Sequence, residues 1–249
     1  RFALDFLHHE GFALTITPML LRGEVILGAM GGDRLDDQQV YRIADEDLAL
    51  IGTSEHAMLG MFKDEVLDEA RLPIRLAGLS WCFRREAGSW GKDVRGIYRV
   101  HQFEKVEMFS FCHPERSWEE HEYLLSREER LMQTLGLPYR VVNICGGDLG
   151  APAAKKYDIE AWMPGREGYG ETHSCSNCTD FQARRVNARF RKGPRGPAAF
   201  VHTLNGTAMA NTRMLIAILE NGQQADGSVR VPDALVPYVD GLHLLSPAA

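Results

Sequence analysis

Residues 81–109 read WCFRREAGSWGKDVRGIYRVHQFEKVEMF. Ten of these 29 residues carry a formal charge, four of them arginine, and a glycine-rich middle separates two strand-like ends. In the second end Tyr98, Val100, Gln102, Glu104, Val106 and Met108 alternate with Arg99, His101, Phe103, Lys105, Glu107 and Phe109. A period of two places successive side chains on opposite faces of a strand. With IRLAGLSWCFRREA before it, the stretch reads as a long antiparallel hairpin. Its tip holds Lys92, Asp93 and Arg95 among glycines and can move while the strands do not. Arg99, Phe103 and Glu107 share one side of their strand, and Arg84 and Glu86 share a side of the partner. A flat base can stack on Phe103, and the planar guanidinium of Arg84 can fork onto a phosphate or carboxylate. The competing reading of the same residues is a ladder of cross-strand salt bridges on a solvated face.

Outward from the hairpin, residues 1–10 read as a helix ended by Gly11, and FALTITPML as a strand closed by Pro18. A glycine-rich loop is expected at 28–33 and a short strand at VYRI. Thr53-Ser54-Glu55 opens a predicted helix to about Ala70, with Met58, Met61, Phe62 and Leu67 inward. Ser117 and Glu120 fit a capping box before a helix ending near Gly136. LPYRVVNIC, YDIEAWMP and YGETHSCSNCTDFQARRVNARF read as strands. FVHTLNG then leads into a last helix, TAMANTRMLIAILENG, closed by Gly222. That reading puts Asn205-Gly206-Thr207 where strand meets helix and Arg213 near the helix middle. The order implies an α+β domain over 1–249, built on a mainly antiparallel sheet.

Composition narrows the function classes. The chain has 249 residues, 45% apolar and 25% charged, with net charge −6, so a polyanion must be met by local clusters rather than a basic surface. No apolar run approaches the ~20 residues that span a membrane. Arg1 leads into an amphipathic segment without a signal-peptide pattern, and the abrupt start inside a helix suggests sequence upstream. Five cysteines do not form a disulfide framework at this length, which fits a reducing cytoplasm. Cys175 and Cys178 make a CxxC beside His173, but a zinc knuckle needs a second pair, and no βαβ context supports a thioredoxin-like site. Glu171 with Ser174 or Asn177 offers hard oxygen ligands that suit Mg²⁺ bridging phosphates; the bland reading is a polar strand end satisfying itself. Arg213 either snorkels to solvent or meets a ligand phosphate.

Taken together the segments resemble the class II aminoacyl-tRNA synthetases, and within them the catalytic domain of the bacterial seryl type. GFALTITP (11–18) is similar to motif 1, FRREAG through RVHQFEKVE to motif 2, and LNGTAMANTR into ILEN to motif 3. TSE (53–55), GKDVRGIYRVHQFEKVEMF (91–109), KKYDIEAWMPG (155–165) and SCSNCTDFQARR (174–185) are the seryl-type signatures. The resemblance implies a class II fold with a six- to seven-stranded, mainly antiparallel sheet flanked by helices. It implies activation of L-serine with ATP and transfer to tRNA(Ser) by a cytoplasmic homodimer. By resemblance Arg84 bridges the serine carboxylate and the α-phosphate, Glu86 sits by the adenine, and Val100 also belongs to the ATP site. Phe103 stacks beneath the adenine, Arg213 closes over it toward the γ-phosphate, and Arg99 meets the bent triphosphate. Glu171 and Ser174 hold Mg²⁺, while Thr53, Glu55, Glu107, Asn205 and Thr207 surround the serine. The chain departs from the pattern in three ways. The N-terminal tRNA-binding arm is absent from it. His56-Ala57 replaces an apolar residue and proline. His173 stands where serine or threonine is common. Two alternatives follow: an armless paralogue that loads a carrier protein or another acceptor, and a non-catalytic relative kept for binding or regulation.

Overall fold

The computed structural model describes residues 1–32, 39–86 and 96–247. Helix α1 (Phe2–His9) precedes strand β1 (Ala13–Ile16), then β2 (Leu20–Arg22), α2 (Gly23–Met30), β3 (Leu48–Leu50), α3 (Ser54–Gly60) and β4 (Val66–Asp68). The two ends of the opening stretch lie in β5 (Ile74–Phe83) and β6 (Gln102–Cys112). They pair antiparallel, with Gly78 opposite Glu107 and Cys82 opposite Phe103. Next come α4 (Ser117–Thr134), β7 (Tyr139–Asn143), β8 (Lys155–Met163), β9 (Gly168–Asn177), α5 (Phe181–Val186), β10 (Arg189–Arg191), β11 (Ala199–Phe200), β12 (His202–Ala210) and α6 (Asn211–Gly222). A seven-stranded sheet runs β1-β5-β6-β12-β9-β8-β7. Only its β1–β5 pair is parallel, so the expected mainly antiparallel α+β sheet is present.

Both faces of this sheet are covered, and the alternation within β6 shows how. Val106 and Met108 pack with Leu204 and Ala208 of β12 and with Leu124, Leu131 and Met132 of α4. Phe109 and Phe111 pack on the other face with Met58 and Leu59 of α3 and Ala183 and Val186 of α5. Residues 106–112 of β6 are therefore buried on both sides, while Gln102 to Glu104 reach toward solvent.

One polar group intrudes on the α4 side. The Glu128 carboxyl is fully buried and neither oxygen finds a hydrogen-bond partner. It occupies the space a side chain at Gly206 would need, since a Cβ there would lie 2.8 Å from Oε1. Burial, and next the charge of Glu107, push its pKa well above the usual carboxylate value, which favours the acid form. A raised folded-state pKa means that stability falls as pH climbs from the unfolded value through the folded one. Glu128→Met, which fills similar volume without polar oxygens, is expected to stabilise the domain by about 2 kcal/mol. That corresponds to a Tm rise of roughly 4–8 °C, larger at pH 8 than at pH 5 in thermal melts.

Several local expectations give way to tertiary forces. Residues 28–30 belong to α2 rather than to a loop. Gly28 is a packing position, because a Cβ there would strike Val186 of α5 at 2.7 Å. Asp33 and the tip residues Lys92, Asp93 and Arg95 lie outside the described residues. The VYRI segment forms only an isolated bridge, Arg42 to Ala49, and the strand falls instead at β3, paired with β2. Helix α3 stops at Gly60; Met61 is 51% exposed, and Leu67 sits in β4, paired with β10. The capping box does not form. Ser117 Oγ donates to the Pro114 carbonyl, and Glu120 is drawn to Arg75 (2.7 and 2.6 Å) and Ser110 (2.8 Å). The strand expected through 169–190 breaks after Asn177, whose side-chain oxygen accepts from Thr179 N, and α5 follows. Finally β12 runs on to Ala210, so Asn205-Gly206-Thr207 is mid-strand and Arg213 stands in the first turn of α6.

Candidate active site

The site opens above the central strands, on the α3 side of the sheet, as a cavity of about 240 Å³. Strand β6 contributes Phe103, Lys105 and Glu107, consecutive side chains on one face. Neighbouring β12 brings Asn205 and Thr207, and the register sets Thr207 opposite Glu107. The N-terminus of α3 brings Thr53 and Glu55, with Thr53 Oγ1 accepting from Glu55 N at 3.3 Å as the cap. Beyond the end of β5 come Arg84 and Glu86; before β6 come Arg99 and Val100; β9 supplies Glu171 and Ser174, and α6 supplies Arg213. All thirteen residues to which the resemblance gives a role line this one cavity.

Its two halves differ in charge. At the floor Glu107 is 2% exposed, and its Oε2 takes both Lys105 Nζ at 2.6 Å and Thr207 Oγ1 at 3.3 Å. Glu55 Oε1 accepts from Gln182 Nε2 (2.6 Å) and Asn205 Nδ2 (3.1 Å), and Gln182 in turn accepts from Thr203 (2.7 Å). Burial first, and then the Glu107 charge, raise the Glu55 pKa to about 7. The opposite half is cationic. Arg84 donates Nε to the Gly52 carbonyl (3.2 Å), and its guanidinium carbon lies 5.3 Å from the Phe103 ring centroid. Arg99 pairs with Glu86 at 2.5 Å. Arg213 pairs with Glu171 at 3.4 Å, donates to the Glu171 carbonyl (3.0 Å) and lies 4.5 Å from the Tyr98 ring centroid. Arginines held by backbone carbonyls and aromatic rings stay aimed without a ligand, which suits recognition of bound anions.

Sequence reasoning missed Tyr98, Lys105, Thr172, Ala210 and Thr212, which also line the cavity. Lys105 was within reach, since the alternation already set it between Phe103 and Glu107. Tyr98 was not: β6 begins only at Gln102, so the two-residue period does not extend back to 98. Gln182 stands inside the 174–185 signature but lies 127 positions from Glu55, so nothing local ties the two. Asn177 is spent on the Ser117 carbonyl and Thr179 N, whereas Ser174 lines the cavity. Cys175 donates to the His121 carbonyl and Cys178 accepts from Asn205; burial raises both thiols well above their usual range. His173 is not among the lining residues. Its ring is buried with Nδ1 2.8 Å from Thr172 Oγ1, and burial lowers its pKa to about 4.

The family model for the tRNA synthetase class II core domain (G, H, P, S and T) matches residues 39–222. The serine–tRNA ligase of Dictyoglomus thermophilum is 57% identical over 96% of this chain and 56% of its own length. That of Rubrobacter xylanophilus is 54% identical over 100% of this chain and 58% of its own. The crystal structure of seryl-tRNA synthetase from Pyrococcus horikoshii complexed with ATP matches with a TM-score of 0.96 at 51% identity, covering all of this chain and 55% of that one. The cytoplasmic serine–tRNA ligase from Naegleria fowleri in complex with AMP matches at 0.92 and 40%, over 58% of its chain. The chain thus spans a little over half the length of the relatives it matches. Agreement this close in sequence and backbone alike settles its grouping: the chain, similar over its whole length to serine–tRNA ligases, belongs to the class II aminoacyl-tRNA synthetases of the G, H, P, S and T core type.

Proposed function

We propose that this domain, spanning the whole chain as one catalytic unit, activates L-serine with ATP, and that the protein carrying it transfers the serine to tRNA(Ser). The observation that carries this is the division of one cavity into an anionic floor (Glu55, Glu107) and a cationic wall (Arg84, Arg99, Arg213). Serine is bipolar and ATP is a polyanion, so the two can lie end to end across such a cavity. Phe103 takes the adenine face, with Glu86 and Val100 at its edge, and Arg213 closes the other side. Arg99 meets the bent triphosphate. Lys105 and Thr207 both hold Glu107 Oε2, which leaves Oε1 for the serine ammonium or hydroxyl. Thr53, Glu55 and Asn205 complete that end. Arg84, between the halves, orients the serine carboxylate against the α-phosphate. A carboxylate oxygen then bonds to the α-phosphorus while the bond to the bridging oxygen breaks, and diphosphate leaves with the electron pair. The nucleophile is already ionised, so positioning and charge neutralisation do the work.

Mg²⁺ fits the residues present. Glu171 and Ser174 offer hard oxygens on the phosphate side, and no group of three or more ligating side chains is assembled among the described residues. Such a sparse set suits an ion that completes its shell from phosphate oxygens and water. When bound, it supplies neutralisation of phosphate charge. Two further readings rest on exposed features. Leu14 (47%) and Ile16 (90%) on edge strand β1 suit a homodimer contact. Five free cysteines suit a cytoplasmic setting, and no helix among the described residues is long and apolar enough to cross a membrane.

Serine-dependent exchange of labelled diphosphate into ATP tests activation, and charging of tRNA(Ser) by the whole protein tests transfer. Absence of exchange contradicts adenylate formation, and exchange without charging points to another acceptor. A pH effect follows as well. A bound ammonium favours ionised Glu55, whose free-site pKa is about 7, so below that pH serine binding expels a proton. The serine KM is expected to fall by up to about ten-fold per unit as pH rises toward 7, then level off. Glu55→Gln removes that slope.

A further inference from the structure

The apolar stripe of α4 runs through Leu124, Leu125, Leu131 and Met132, all buried. Residue 128 lies three or four positions from each of them, where the helical period calls for an apolar side chain. It is Glu128 instead, fully buried, with both carboxyl oxygens unpartnered. Its carboxyl end presses on β12 from behind. The place a Cβ on Gly206 would take lies 2.8 Å from Glu128 Oε1, 3.0 Å from Met108 Cε and 3.7 Å from Cys175 Sγ. Gly206 stands between Asn205 and Thr207, which line the serine end of the cavity on the other face of the strand. The sheet itself holds this stretch weakly. Pairing of β12 with β9 covers Leu204, Asn205 and Gly206 and stops there. Pairing with β6 shifts register between Thr207 and Met209, immediately after Thr207 meets Glu107. An irregular ladder leaves the position of the strand to packing from its sides. Thr207 reaches the floor through one long contact, 3.3 Å to Glu107 Oε2, so the support behind Gly206 decides how far the two stand apart.

We propose that Glu128 is the rear support of the serine pocket: its side chain fills the space between α4 and Gly206, holds Asn205 and Thr207 forward, and so keeps out threonine, which is serine with one added methyl. The inference deepens the serine reading proposed above and rests on it. Glu128 touches no substrate and is a positioning residue. The role belongs to its bulk rather than its charge. With that bulk gone, β12 settles toward α4, the gap between Thr207 and Glu107 widens, and room opens for the added methyl. Rejection of a group one methyl larger rests on contact with a wall that does not yield.

In the whole protein, diphosphate exchange is measured with serine and with threonine, beside a thermal melt. Glu128→Ala is expected to lower the serine-over-threonine ratio of kcat/KM at least about ten-fold, with the ATP KM within a few-fold of its parental value. Glu128→Gln and Glu128→Met keep the bulk and retain the parental ratio. Gly206→Ala added to Glu128→Ala puts a Cβ into the vacated space and restores most of the discrimination. Should Glu128→Ala not fold, Glu128→Val leaves a smaller void and carries the same test. A folded small-residue variant with the parental ratio overturns the assignment. So does a Glu128→Gln protein that discriminates as poorly as Glu128→Ala, which would put the effect in the acid rather than in its bulk. An unmodified protein without serine-dependent exchange strikes instead at the adenylate reading, so the two failures are distinguishable.

Discussion

Arg84→Ala is expected to lower serine-dependent exchange by about a thousand-fold or more while the domain stays folded. The guanidinium belongs to the cationic wall and its charge also reaches Glu55 on the floor, so in the proposed reaction no neighbour can take over its contact with both reactants. Removing one well-aimed donor to a developing charge costs about 10²–10³ in rate, and in the proposed reaction the same group also places the nucleophile. Its structural duty is small. It makes one hydrogen bond, to the Gly52 carbonyl, and rests near Phe103. Loss of a single such bond costs about 1 kcal/mol, a Tm change of roughly 2–4 °C. Exchange kinetics with a thermal melt check both halves, and exchange surviving at more than a tenth of the parental rate would remove Arg84 from the chemistry.

Glu107→Ala acts on the other substrate. The serine KM is expected to rise by about a hundred-fold or more, with the ATP KM within a few-fold of its parental value. A carboxylate at the floor can bind ammonium and hydroxyl together, and losing a buried partner for a polar ligand is costly. The variant also strands Lys105, whose side chain is only 7% exposed beside Glu107. Breaking a buried pair by removing one member costs about 3–5 kcal/mol, so this variant melts early. Lys105→Met added to Glu107→Ala separates the effects: stability returns while serine affinity does not. Equal loss of both KM values would contradict a serine-specific floor.

Much of this was legible because strand alternation and ligand geometry share one period. Phe103, Lys105 and Glu107 face the site for the same reason that Val106 and Met108 face α4. The pattern failed where distant chain decides local structure. Val66–Asp68 read as helix, yet pairs with Arg189–Arg191, more than a hundred residues later. The small residues of TAMA suit a helix end, but β6 on one side holds them extended to Ala210. The residues that the resemblance singled out line one cavity even where the elements under them were misread, as with mid-strand Asn205 and Thr207. The resemblance gave no role to Gln182, which orients Glu55 from α5, nor to Glu128, whose buried acid is visible only from its packing beneath Gly206.

A complex with a non-hydrolysable seryl-adenylate analogue tests the central claim most directly. The adenine is expected between Phe103 and Arg213, with the seryl ammonium within about 3 Å of Glu107 and Arg84 touching the acyl-phosphate link. Density for the analogue elsewhere, or in this cavity with its adenine at Glu107, would contradict the account.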